Sequence, residues 1–111
     1  MTAEPAGPAG PEALDSIAGF QAFIRRRYDA TDRARGTPAT FLWFAEEVGE
    51  LARALGRTGQ DPADPAVRAN LEEEFADVLA WLCTLANINE VDLDAAIRAK
   101  YLAGPGPLGH K

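Results

Sequence analysis

The 111-residue chain is long enough for one domain with a modest hydrophobic core. Its 17 acidic and 11 basic residues give a formal charge of −6, which argues against nonspecific binding to nucleic acid. A single cysteine, Cys83, excludes an internal disulfide framework and a cysteine-rich zinc site, and the single histidine, His110, lies next to the C-terminus, so any catalysis is expected to depend on carboxylates.

The N-terminal segment, residues 1–12, is expected to be a disordered tail. It is rich in Ala, Gly and Pro, which add chain entropy or remove backbone donors, and it lacks the basic start and apolar run of a secretory signal. No stretch of the chain reaches the ~18 apolar residues of a membrane span. We therefore expect a cytoplasmic protein that does not associate with a membrane, in agreement with a lone, reduced cysteine.

Helical periodicity dominates residues 13–103, which we predict to form the folded domain. β-Branched residues are sparse, and no segment alternates with the period of two that is typical of a strand. The first helix is predicted from Leu14 to Ala30, where Ile17, Phe20, Ile24 and Tyr28 share one side. The polar segment 31–36 is predicted to end it.

The second helix is predicted to begin at Thr37 and Pro38, because a hydroxyl suits the N-cap position and proline suits the first turn. It is predicted to continue to Leu55, with Gly56 as its C-cap. These signals place most of the acidic residues in the middle of the chain within regular helix.

The third helix is predicted over residues 65–88 from the same combination of a capping residue and a proline. A short fourth helix is predicted to follow Asp92, its N-cap, and to end at Leu102. The Gly- and Pro-rich residues 104–111 are expected to form a flexible tail. Four helices with short connections predict an all-α protomer, a four-helix up-down bundle.

The second and third helices carry the same pattern of carboxylates. Glu47 and Glu50 are three residues apart, as are Glu74 and Asp77, and each pair lies beside an apolar stripe and next to a tryptophan. If the helices pack antiparallel through their stripes, the four carboxylates converge. The predicted stripes are Phe41, Phe44, Val48, Leu51 and Leu55 on the second helix and Leu71, Phe75, Val78, Leu82 and Leu85 on the third.

Four close carboxylates repel one another unless protons or cations intervene. Oxygen ligands of this kind suit Mg²⁺ or Mn²⁺, so the pattern is compatible with a metal-assisted phosphate site. The alternative is a solvated acidic surface, because Glu-rich helix faces usually point to water. A di-iron bundle is disfavoured because it requires Glu-x-x-His pairs, and no histidine lies within a predicted helix.

The segments EEVGE (46–50) and EFAD (74–77) resemble the EExxE and ExxD motifs of the MazG-like nucleoside triphosphate pyrophosphohydrolases of the all-α NTP pyrophosphatase superfamily. The resemblance covers about residues 14–101. It implies an all-α protomer that assembles as a homodimer or a dimer of dimers. It also implies Mg²⁺-dependent cleavage of a nucleoside triphosphate between its α- and β-phosphates, with Mn²⁺ as a substitute metal, to yield a monophosphate and pyrophosphate.

The resemblance further implies roles for individual residues. Glu46 and Glu47 would be catalytic, with Glu46 either supporting the metal ligands from outside or helping to orient the attacking water. The implied metal ligands are Glu47, Glu50, Glu74 and Asp77.

The implied substrate-binding residues are two aromatic and two basic side chains. Trp81 and Trp43 would stack on the nucleotide, although either indole could instead fill the core or an interface. Lys100, with Arg98, would bind phosphate, or would be a solvated surface residue. The chain departs from the family pattern at Asn70, one turn before the ExxD motif, where a basic residue is common.

Three hypotheses follow. The first is a house-cleaning pyrophosphohydrolase acting on NTPs or dNTPs, and the second is a phosphoribosyl-ATP pyrophosphohydrolase, which would need more basic contacts. The third is a catalytically degenerate domain that senses nucleotide or serves as a helical interaction module. The expected partners are a nucleoside triphosphate and a second copy of the chain, and neither nucleic acid nor membrane.

Overall fold

The computed structural model describes residues 14–103, which form four helices and no strand. The prediction of an all-α protomer with four helices is therefore confirmed for this part of the chain. The predicted tails, residues 1–12 and 104–111, lie outside the described residues. The helices are α1 (Ile17–Arg35), α2 (Thr37–Thr58), α3 (Pro65–Ile88) and α4 (Leu93–Tyr101).

The helix pair α2 and α3 is the centre of the fold. The two helices make the most extensive contact, and their short connection, residues 59–64, makes them antiparallel neighbours. Helix α1 packs mainly on α3, and α4, only nine residues long, packs on α1. None of the helices within residues 14–103 combines the length and apolarity that crossing a membrane requires.

The predicted end of α1 at Ala30 is wrong, because the helix continues through the polar segment to Arg35. Side-chain contacts stabilise this extension. Asp29 and Arg33 form an ion pair at 2.9 Å one turn apart, and Asp32 is buried against α3. Polarity in this segment therefore reflects specific pairing rather than a loop.

A single glycine, Gly36, connects α1 to α2. Its φ of 83° lies in the left-handed region, which glycine adopts without a steric penalty. Its N–H donates to the Asp32 carbonyl at 3.0 Å, and its own carbonyl accepts from the Thr40 N–H at 3.1 Å. Gly36 is therefore the N-cap of α2, and Thr37 is its first residue. The prediction of Thr37 as the N-cap is wrong.

Helix α2 also extends further than predicted, past Gly56 to Thr58, with Gly59 as the C-cap. By contrast, α3 spans residues 65–88 as predicted, and α4 spans residues 93–101, within one residue of its predicted end. Both begin at an aspartate whose side chain accepts a backbone N–H: Asp64 from Ala66 at 2.8 Å and Asp92 from Ala95 at 3.0 Å.

A buried polar network fixes α1 against the end of α3 and the start of α4. Asn87, 2% exposed, accepts from the Gln21 side chain at 3.0 Å and donates to the Gln21 carbonyl at 3.3 Å. The Gln21 amide also donates to the Val91 carbonyl at 2.7 Å and accepts from the Leu93 N–H at 3.0 Å. Since buried amides need hydrogen-bond partners, this network fixes how the three helices pack together.

Asn87→Ala is expected to lower the free energy of unfolding by about 2–3 kcal/mol, because it removes both buried hydrogen bonds that the Asn87 side chain makes with Gln21 and leaves a void in their place. Urea unfolding at one protein concentration measures this loss. The matched control is Asn89→Ala at the exposed C-cap of α3, where the expected loss is only about 0.5–1 kcal/mol. Equal losses in the two variants would contradict a dominant role for the buried network.

The face of α2 that packs on α3 differs by one residue from the predicted apolar stripe. Thr40 and Ala54 are buried, at 0% and 1% exposure, whereas Phe41 and Leu55 are 54% and 46% exposed. The predicted stripe on α2 is therefore wrong as a core face of the protomer. One residue rotates a helix by about 100°, so the observed contact places Glu47 towards α3 instead of beside the contact.

The apolar side chains displaced from this contact form one surface. Positions 41, 48 and 55 of α2 recur every seven residues, as do positions 75 and 82 of α3, so each row lies along one side of its helix. Each row is rotated by one residue from the contact between the helices, and because the helices are antiparallel, the two rows face the same side of the pair. We call this surface the outer apolar face. Its members are Phe41, Val48, Leu55, Phe75 and Leu82, which are 40–54% exposed.

Candidate active site

Three carboxylates meet where α2 packs on α3. Glu47 comes from α2, and Glu74 and Asp77 come from α3; one carboxylate oxygen of each residue lies within 4.8 Å of those of the other two. Glu47 and Glu74 are half-buried because they lie on the contacting sides of the two helices. The structure thus brings together three of the four metal ligands that the sequence motifs imply.

The other two acidic candidates lie at the edge of this group. Glu50 is outside the set of oxygens within 4.8 Å, and its carboxylate pairs with Arg53 at 3.4 Å. Glu46 is exposed and lines a shallow surface depression with Leu42 and Trp43. Their predicted roles, as a metal ligand and in orienting water, stay predictions.

The site carries an uncompensated negative charge. Burial raises the pKa of the Glu47 carboxyl, and the charges of Asp77 and Glu74 raise that pKa further, followed by those of Glu46 and Glu50. Within residues 14–103, no lysine or arginine forms an ion pair with Glu47, Glu74 or Asp77. Because all donors are carboxylate oxygens, the site suits a divalent cation such as Mg²⁺ or Mn²⁺.

A cleft of about 370 Å³ opens beside the carboxylates, between α1 and α3. The Trp81 ring on its wall stacks on Trp43, with ring centroids 6.0 Å apart and ring planes at 12°. Trp43 is 52% exposed, so it is not a core residue of the protomer. The cleft is lined by Ile24, Tyr28, Asp32, Arg35, Asp77, Ala80, Trp81 and Thr84.

A buried ion pair forms part of this cleft. Asp32, 3% exposed, accepts from the Thr84 hydroxyl at 3.1 Å and pairs with the Arg35 guanidinium at 3.2 Å. The same guanidinium donates to the Thr40 hydroxyl at 3.2 Å and lies 5.0 Å from the centroid of the Trp81 ring. Asp32 and Arg35 are absent from the predicted site because the polar segment 31–36 was expected to end the first helix, although their i, i+3 spacing is compatible with a helix.

The predicted phosphate-binding residues Lys100 and Arg98 lie on α4, which packs on α1. Arg98 pairs with Asp94 at 3.0 Å, and the Lys100 ammonium lies 5.3 Å from the centroid of the Tyr101 ring. Neither side chain lines the cleft beside Asp77. Their contact with substrate stays a prediction.

Comparison with known proteins identifies the family. Residues 36–101 match the model of the MazG nucleotide pyrophosphohydrolase domain, a region that spans α2, α3 and α4 and includes all three clustered carboxylates. No curated protein and no solved structure matches the chain significantly. The matched region covers more than half of the 111 residues. The chain therefore belongs to the MazG nucleotide pyrophosphohydrolase family.

Proposed function

We propose that the protein hydrolyses a nucleoside triphosphate between its α- and β-phosphates, consuming one water and yielding a nucleoside monophosphate and pyrophosphate. The observation that carries this proposal is the cluster of Glu47, Glu74 and Asp77, which has no cationic partner within residues 14–103 and adjoins an aromatic-walled cleft. The cluster lies within the region that matches the family model.

Glu47, Glu74 and Asp77 would hold Mg²⁺, with Mn²⁺ as a substitute. When bound, the cation supplies neutralisation of phosphate charge and activation of water. The chain itself contributes the arrangement, because α2 and α3 bring the three carboxylates together. Glu50 would complete the ligand set, and exposed Glu46 would orient the attacking water from the outer edge of the site.

The cleft between α1 and α3 is the proposed nucleoside site. Its volume of about 370 Å³ suits a nucleoside, Tyr28 and Trp81 offer ring surfaces to a base, and the paired Asp32 and Arg35 offer an acceptor and donors. Tyr28, Asp32 and Arg35 all come from α1, before the matched region begins at residue 36. Base preference is therefore proposed to depend on α1.

A second copy of the chain is proposed to cover the outer apolar face. Within residues 14–103 the buried apolar side chains are few and mostly small, whereas Phe41 and Phe75 are more than half exposed. An apolar surface of this kind marks a protein interface, and a pair of α2–α3 hairpins would bury it as a four-helix core. The buried apolar residues are Ile24, Ala54, Leu71, Cys83 and Ala86.

Pyrophosphate release from a panel of NTPs and dNTPs, with Mg²⁺ or Mn²⁺, tests the proposed reaction. We expect equal amounts of pyrophosphate and monophosphate, and no release when a chelator removes the metal. Phosphoribosyl-ATP included in the panel tests the related reaction. Release of inorganic phosphate would contradict the cleavage position, and nucleotide binding without turnover would support a sensing module instead.

A further inference from the structure

Arg57, in the last turn of α2, is an exposed arginine without an acidic partner in residues 14–103. Its Nη1 donates to the neutral Asn70 side-chain oxygen at 3.0 Å, which uses one of the five N–H donors of a guanidinium. Several other arginines of the described region pair with aspartate or glutamate. These are Arg25, Arg33, Arg35, Arg53 and Arg98.

Asn70 connects Arg57 to the carboxylate cluster. Its amide nitrogen donates to the Glu74 carboxylate at 3.4 Å, so one amide group separates the guanidinium from Glu74. A direct Arg57–Glu74 ion pair would neutralise Glu74 and use its lone pairs. The intervening amide keeps the cation beside the cluster while leaving Glu74 available to a ligand.

The candidate active site is elongated along the axis of α3. Asn70, Glu74, Asp77 and Trp81 follow one another at spacings of four, three and four residues, which places them on one side of the helix. The cleft that contains Trp81 adjoins Asp77, whereas Arg57 lies at the opposite end, next to Glu74. An elongated anion held at the carboxylates, with its nucleoside in the cleft, would extend its far end towards Arg57.

We infer that Arg57 binds the β- or γ-phosphate of the substrate, the portion that leaves as pyrophosphate. This inference rests on the proposed function. An arginine suits the task because its planar guanidinium makes paired, charge-assisted hydrogen bonds to phosphate oxygens. The family pattern commonly has a basic residue on α3 at the position that Asn70 occupies here, and Arg57 of α2 supplies a positive charge next to that position. Asn70 acts as a positioning residue, holding the guanidinium at this end of the site.

Arg57→Gln tests the assignment, with Arg57→Lys as the conservative variant and Arg68→Gln as the matched control. Arg68 is also exposed and lies on α3 two residues before Asn70, so it points to a different side of the helix while carrying the same charge. We expect Arg57→Gln to raise the KM for the nucleoside triphosphate and the inhibition constant of pyrophosphate by about 10- to 100-fold. Arg57→Lys should recover part of this loss.

Inhibition by the nucleoside monophosphate distinguishes phosphate binding from a structural role. It should change less than threefold in Arg57→Gln, because the monophosphate does not reach Arg57. Equal weakening of monophosphate and pyrophosphate inhibition would overturn the inference, as would an Arg57→Gln variant that matches Arg68→Gln. If either result is obtained while the wild type still releases pyrophosphate, only the inference about Arg57 fails and the proposed function stands. If the wild type releases no pyrophosphate, the proposed function and the inference about Arg57 both fail.

Discussion

Glu47→Gln is expected to lower kcat/KM for pyrophosphate release by about 1,000-fold while the protein stays folded. Glu47 is the α2 member of the three-carboxylate cluster, and glutamine keeps its shape but removes an anionic oxygen. A metal site supplies several kcal/mol of charge stabilisation in the transition state, and each 1.36 kcal/mol corresponds to tenfold in rate. Pyrophosphate release at saturating Mg²⁺, with circular dichroism as the check on folding, measures the effect.

The same substitution is expected to raise thermal stability when no divalent metal is present. The pKa of Glu47 is raised above its ordinary value of 4.5, by burial first and then by Asp77 and Glu74. A raised folded-state pKa gives a stabilisation that is fully present below pH 4.5 and is lost as the pH rises through the folded-state value. The variant should therefore have the higher Tm at pH 7 in chelator, and the difference should shrink at pH 4.

Mg²⁺ provides the complementary measurement. It should raise the Tm of the wild type and leave that of Glu47→Gln nearly unchanged, because ligand binding stabilises only a chain that retains the site. Glu73→Gln is the matched control, since Glu73 is an exposed carboxylate next to Glu74 that points elsewhere on α3. Equal losses of activity in the two variants would contradict a specific role for the cluster.

Local sequence signals account for the helices that were predicted well. Asp64 followed by Pro65 marks the start of α3, and Asp92 marks the start of α4, because a side-chain cap depends only on neighbouring residues. The end of α1 depends on a distant contact instead. Asp32 is held by Thr84 from α3, 52 positions away, and such a contact has no local signature.

The approach of Glu74 to Asp77 was predictable because i, i+3 spacing places two side chains on one side of a helix, whereas Glu50, three residues after Glu47, lies outside the cluster. The residues through which α2 contacts α3 could not be predicted in the same way. Thr40 and Ala54, which are small, allow the two helices to approach closely, whereas the larger Phe41 and Leu55 lie one position further along and turn outwards. Hydrophobicity alone favours the larger residues as the core. The predicted and the observed contact faces of α2 differ by only one residue, which is a rotation of about 100°.

Phe75→Glu is expected to convert a dimer into a monomer of 11.9 kDa. Phe75 belongs to the outer apolar face and is 53% exposed in the protomer, so the substitution creates no strain within one chain. In the proposed dimer it places a carboxylate in an apolar contact, where losing an aromatic anchor costs about 2 kcal/mol or more. The dimer dissociation constant should rise by at least about 30-fold, as measured by light scattering across a concentration series.

Leu102→Glu is the matched control, because Leu102 is 69% exposed and follows α4, whereas the outer apolar face belongs to α2 and α3. The Leu102→Glu dimer should persist, and a monomeric wild type would contradict the proposed assembly.

Loss of the dimer in Phe75→Glu should also lower pyrophosphate release. The outer apolar face belongs to the same two helices that hold Glu47 to Glu74 and Asp77, so an uncovered hairpin would hold its carboxylates less firmly. Activity that follows the dimer fraction would show that the second copy supports the site.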